Sequence, residues 1–195
     1  MIDGLHIYSV DIANPHDAPN TDGIDIDAVQ NAVIENSSIS VGDDALCVKS
    51  GIDWLGRTFG KAASNITFRN ISVGTGHGIS IGSETSAGVD GVVFRDIRMA
   101  GTQRGGRIKS QRGRGGVVQN ILFERIIMEG VDTAFDFTLN YHPGIPPTNS
   151  TATPSLANVT ASAVQATSAG AAWAIDGLPE SFISGLHFEN VSIQF

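Results

Sequence analysis

The chain has 195 residues, 41% hydrophobic and 16% charged, which suits one folded domain and argues against a disordered chain. Its formal net charge of −8 makes a nucleic-acid partner a poor expectation. No apolar run approaches the ~18 residues of a membrane span, the first residues read as strand rather than secretory leader, and a lone Cys47 allows no internal disulfide.

Taken in chain order, the sequence repeats itself. Residues 5–12 follow the pattern h-x-h-x-x-h-x-h, with h apolar, and residues 32–39, 66–73, 92–99, 121–128 and 186–193 repeat it, Ser37 replacing one apolar residue. Alternation predicts a strand, but the double x shifts its parity, so one flat strand cannot bury all four apolar residues. A corner between two short strands can. The fifth position is Asn36, Asn70, Asp96 or Asn190 in four copies, residues that tolerate the left-handed conformation of a corner.

A second short run follows each of the first five copies, at residues 24–27, 46–49, 79–81, 107–109 and 135–137. The copies begin 27, 34, 26, 29 and 65 residues apart, and the last interval is predicted to hold two coils and a loop. Residues 144–172, rich in Ser, Thr, Ala and Pro, read as an excursion from the coil. The expectation is an all-β chain, a right-handed parallel β-helix in a single partial domain over 1–195. A two-sheet sandwich is the runner-up, and it lacks Asn-Gly hairpin signals.

Polar clusters fall in one phase of successive coils. Asn20-Thr21-Asp22 precedes the first short run, Gly42-Asp43-Asp44 the second, Gly76-His77-Gly78 the third, and Arg107-Ile108-Lys109 forms the fourth. In-register stacking brings them to one edge about 14 Å long. Crowded carboxylates cannot all ionise freely, so one pKa should rise, and a neutral acid beside ionised ones suits glycoside hydrolysis. Each Asp taken alone reads better as a turn residue, and four such motifs in one phase of four coils do not. Arg104, Arg107, Lys109, Arg112 and Arg114 concentrate positive charge between residues 101 and 120, where no acid occurs; a solvated basic loop and an anion site both fit.

These four motifs, in order and spacing, resemble the signature motifs of glycoside hydrolase family 28, the polygalacturonase family. Residues 177–181, Gly-Leu-Pro-Glu-Ser, resemble it too. The resemblance implies a pectin-lyase-like β-helix that hydrolyses α-1,4-galacturonosidic bonds of pectin with inversion, without metal or cofactor. It implies Asp43 as general acid, Asp22 and Asp44 as activators of water, and His77 as support for their protonation. It further implies Arg107 and Lys109 as ligands of the sugar carboxylate, with Asn20 placing the substrate. Gly82-Ser83-Glu84 leans toward exo-acting members, and Tyr141 resembles a substrate-contacting tyrosine that more simply flanks the loop. The implied setting is secreted, extracellular or periplasmic. The implied partner is an anionic polysaccharide, with no nucleic acid and no membrane, and the full-length enzyme is a monomer. Family members are longer, so further coils are expected outside these residues. The alternatives are an inactive structural or carbohydrate-binding β-helix fragment and a calcium-using pectate-lyase-like enzyme.

Other signals carry less. Gly78-Ile79-Ser80-Ile81-Gly82 fits a nucleophile-elbow pattern but alternates as a strand. Asp22, Asp25 and Asp27 lack EF-hand spacing. The arginine-glycine run at 112–116 lacks interleaved aromatics. Among the Asn-x-Ser/Thr sequons, Asn149 and Asn158 fall in the expected loop and are the better glycan acceptors.

Overall fold

The computed structural model describes residues 1–141 and 151–195. One sheet is built from the repeat copies. It runs β1 (Ile2–Tyr8), β4 (Val29–Ser40), β6 (Ala63–Val73), β8 (Val89–Ala100), β10 (Val117–Glu129), β12 (Ser155–Thr167) and β14 (Ser184–Ile193), with the short β2 (Asp11–Ala13) beside β4. The second holds the short runs, in the order β3 (Ile24–Asp27), β5 (Asp44–Lys49), β7 (Gly78–Ile81), β9 (Arg104–Lys109), β11 (Thr133–Thr138) and β13 (Ala171–Asp176). Every pairing is parallel. The chain alternates between the sheets and advances one strand per turn, which makes a parallel β-helix.

The corners are where the repeat puts them. Asn36, Asn70, Asp96 and Asn190 have φ of 53°, 52°, 55° and 52°, and the same step is taken by Ser9, Arg125 and Ala163. A second left-handed bend, not anticipated, recurs earlier in the long strands at Asn31, Asn65, Asn120 and Asn158. Asparagines at these bends stack: Asn70 Nδ2 donates to Asn36 Oδ1, and Asn65 Nδ2 to Asn31 Oδ1, both at 2.7 Å.

Register turns the repeat into columns. Ile34, Phe68, Phe94, Phe123 and Ala161 stand in line, as do Ala32, Ile66, Val92, Ile121 and Val159. The rings of Phe68, Phe94 and Phe123 stack at 4.9 and 5.3 Å, nearly coplanar in orientation. All three are fully buried, and each such side chain contributes about 1.5–3 kcal/mol by leaving water.

The expected excursion at 144–172 is corrected in part. Residues 155–167 form β12, a regular strand between β10 and β14. It carries the repeat with Ala161 and Ala166 at apolar positions, small residues that fill the core without a hydrophobic signature. Asn158 is therefore a bend residue, its Nδ2 donating to Asn120 Oδ1 at 3.2 Å, and not a loop position. Asn149 lies outside the described residues. The repeat also gave no sign of α1 (Asp53–Phe59), inserted after β5.

Candidate active site

Four neighbouring strands of the second sheet, β3, β5, β7 and β9, carry the four polar clusters. Asn20, Asp22, Asp43, Asp44 and Lys109 line a single cleft, together with Lys49, Glu84, Arg114 and Tyr141.

Local backbone geometry aims the carboxylates. Between Asp44 and Leu46 the register of β5 on β7 slips by one residue. Such a bulge re-aims side chains at a sheet edge, and here it falls beside Asp43 and Asp44. His77 is flanked by glycines for steric reasons. Gly76 and Gly78 have φ of 120° and 92°, and a Cβ on them would lie 2.5 Å from Asp43 O and 1.9 Å from Arg104 O. The close approach lets His77 N donate to Asp43 O at 2.8 Å.

The side chains interlock. His77 Nδ1 lies 2.7 Å from Asp43 Oδ1, and the backbone N–H of Asp44 donates to that same oxygen at 2.8 Å. Asp44 is 2% exposed; its Oδ1 accepts from Ser80 Oγ at 2.7 Å and its Oδ2 from Lys109 Nζ at 2.8 Å. Burial alone would lower the pKa of Lys109, but the Asp44 carboxylate beside it holds the ammonium above its ordinary value. The carboxyl group whose pKa rises is Asp22: burial first, then the charges of Asp25 and Asp43, lift it from 3.8 to about 6, against the pull of Lys49.

The sequence gives no sign of Lys49 and Asp136, and it offers Ser80 only in the nucleophile-elbow pattern, whereas its hydroxyl serves Asp44. Lys49 Nζ donates to Asp25 Oδ2 at 2.5 Å and lies 3.8 Å from Asp22. Burial works against its charge, and the bond to Asp25 carries its pKa above the usual value. Asp136 stands in register with Arg107; its Oδ2 lies 3.4 Å from Arg107 Nε and 2.9 Å from Arg104 Nε. Arg107 does not line the cleft as Lys109 does, and Tyr141 lies beside both: its ring centroid is 5.2 Å from the Arg107 guanidinium and 5.4 Å from Lys109 Nζ. Tyr141 thus does more than flank a loop.

The basic cluster is not a solvated loop. Arg104 and Arg107 pair with Asp136, Lys109 with Asp44, Arg112 with Glu180 and Arg114 with Asp53. Cys47 lies buried beneath the cleft, its Sγ donating to Gly82 O at 3.1 Å, and burial pushes its pKa well up, which makes it a structural thiol. Asp43, Asp44 and His77 offer ligand atoms within 4.8 Å of one another. A cation there would have to displace Lys109 from Asp44.

A parallel β-helix that brings three carboxylates, an imidazole and cations together on one sheet holds groups able to give and take protons. Over residues 1–195 the chain matches glycosyl hydrolases family 28, and it belongs to that family. It is 40% identical over 129 residues to an endo-polygalacturonase of Pectobacterium carotovorum subsp. carotovorum, covering 66% of this chain and 30% of that one. It is 36% identical over 134 residues to a polygalacturonase of Arabidopsis thaliana, covering 67% and 28%. Among solved structures, a hyperthermoactive exopolygalacturonase from Thermotoga maritima superposes with a TM-score of 0.89 at 27% identity, over 98% of this chain and 46% of that one. A polygalacturonase from Erwinia carotovora ssp. carotovora superposes with a TM-score of 0.66 at 26% identity, over 99% and 50%. The matched region is thus about 30% of the curated relatives' length and about half that of the solved structures.

Proposed function

We propose that this chain carries the catalytic cleft of a polygalacturonase, which hydrolyses α-1,4-galacturonosidic bonds of pectin by an acid–base route. The observation that carries the reading is the Asp43 carboxyl group. Its Oδ1 takes both His77 Nδ1 and the Asp44 N–H, while Oδ2 has no such partner among the described residues. Oδ2 is then the atom that holds the proton and delivers it to the glycosidic oxygen.

Asp22 and Asp44 are the proposed activators of the attacking water. Crowding supports a proton shared within the cluster, since Asp22 is already raised to about 6 and such groups titrate together. Lys109 has two tasks in this reading. It neutralises Asp44, which lets Asp43 and Asp44 sit side by side, and it offers remaining N–H donors to a sugar carboxylate. Arg107, held by Asp136 beneath Tyr141, adds positive charge to the same subsite, and Asn20 closes the cleft beside Asp22. The substrate is an anionic polysaccharide met outside the cytoplasm, so we place the enzyme among secreted proteins; no described helix is long and apolar enough to cross a membrane.

The test is product analysis after incubating the protein that contains this chain with polygalacturonate. New reducing ends with saturated products support hydrolysis. Unsaturated products would point to a lyase and sink the acid–base assignment. Monomer alone or a ladder of oligomers separates exo from endo action.

A further inference from the structure

We propose that Arg114 forms a second carboxylate-binding subsite in the cleft, taking the uronate of a sugar that neighbours the one held at Lys109. The inference rests on the polygalacturonase reading and adds a substrate contact to it.

Arg114 lines the same cleft as Lys109, next to Ser83 and Glu84, yet only 3% of it is exposed. Its guanidinium has five N–H donors. Nη1 donates to Asp53 Oδ1 at 2.6 Å, and Nε is buried with no partner. One ion pair to a partly exposed Asp53 is thin compensation for a buried cation, and the orphaned Nε donor adds to the cost. Stability alone gives no reason to place such a group in the wall of a cleft. A planar fork with spare donors suits a carboxylate, which it can bind through two parallel hydrogen bonds.

The group is also held still. Arg57 of α1 donates through Nη1 to the carbonyls of Gly113 and, at 3.1 Å, Arg114. On the other side Gly116 packs so closely that a Cβ there would lie 1.9 Å from Thr85 O. Segments following β5, β7 and β9 therefore lock around one arginine. A fixed cation loses little freedom when a ligand arrives, which favours binding. Glu84 shares the wall but is not an ion-pair partner of Arg114 among the described residues; its charge disfavours a uronate on its own side. Polygalacturonate carries one carboxylate per sugar, so neighbouring sugars call for neighbouring cations along the cleft.

The experiment measures binding of trigalacturonate at several salt concentrations, by calorimetry, on an Asp43→Asn background of the protein that contains this chain. Arg114→Gln is expected to weaken binding about tenfold or more and to flatten its salt dependence. Asp53→Asn leaves the guanidinium in place and should keep binding within about threefold. Unchanged binding in Arg114→Gln would overturn the proposal. So would an equal loss in Asp53→Asn, or a loss with unaltered salt dependence, because either marks Arg114 as a brace for the loop. If the parental background fails to bind trigalacturonate at all, the polygalacturonase reading itself falls, and Arg114 with it.

Discussion

A carboxyl group that donates a proton and one that only caps a turn respond oppositely to the same substitution. Asp43→Asn preserves shape but has no acidic proton, so kcat should fall by about 10²–10⁴, while the melting temperature holds, since a neutral amide replaces a protonated carboxyl group of the same shape. Retained turnover with a lowered melting temperature would mark Asp43 as structural. Asp22 gives a pH-dependent test. Its folded pKa, about 6, lies above the ordinary value of 3.8, so the folded state binds the proton more tightly. That contribution is complete below about pH 4 and is lost as pH rises through about 6. Asp22→Asn should therefore stabilise the fold near pH 7 by about 1 kcal/mol, once screening of this partly exposed group is allowed for, and should give no gain near pH 3.5. Denaturant titrations at the two pH values decide it. Sequence spacing places Asp22, Asp43, Asp44 and Lys109 in one phase of the coils, and these four line one cleft, with His77 against Asp43. It could not show that Asp44 is committed to Lys109 and Ser80, because those contacts depend on register across three strands.

At the scale of the strand, the parity shift in the repeat was readable because its apolar residues are large. Corners at Asn36, Asn70, Asp96 and Asn190 followed directly. β12 escaped because Ala161 and Ala166 fill the same core positions without standing out from a Ser-, Thr- and Ala-rich stretch. Asp136 was equally hidden, although its place between Phe135 and Phe137 puts it on the outer parity of the run, in line with Arg107. The left-handed corner is itself testable. Asn70 has a φ of 52° and donates to Asn36, so Asn70→Val introduces a β-branched residue where one is most disfavoured and also breaks the ladder. A loss of about 2–3 kcal/mol is expected, and Asn70→Gly, which keeps the conformation, should lose less. Equal losses in equilibrium denaturation would show that the side-chain bond, not the backbone, sets the corner.

Taken whole, the molecule is an acidic body of net charge −8 whose cleft nevertheless holds Lys49, Lys109 and Arg114, each paired with an acid. That balance predicts moderate attraction for a polyanion. The apparent KM for polygalacturonate should rise with salt, because exposed charges are screened beyond about 8 Å at physiological ionic strength. Lys109→Ala should raise KM further and also lower kcat, since Asp44 loses its counter-charge. A KM indifferent to salt would mean that the ion pairs leave no net field in the groove.

The columns of stacked side chains have a mechanical consequence. Hydrogen bonds between coils run along the long axis, so a force applied end to end loads one coil boundary at a time. In the first sheet, register partners lie from 26 residues apart (Ile66 to Val92) to 38 apart (Ile121 to Val159). Each coil that peels away should therefore release roughly 90–130 Å of contour, at up to ~3.5 Å per residue. Stretched in an optical trap, the molecule would lengthen as a staircase, its tallest riser coming from the coil between β10 and β12.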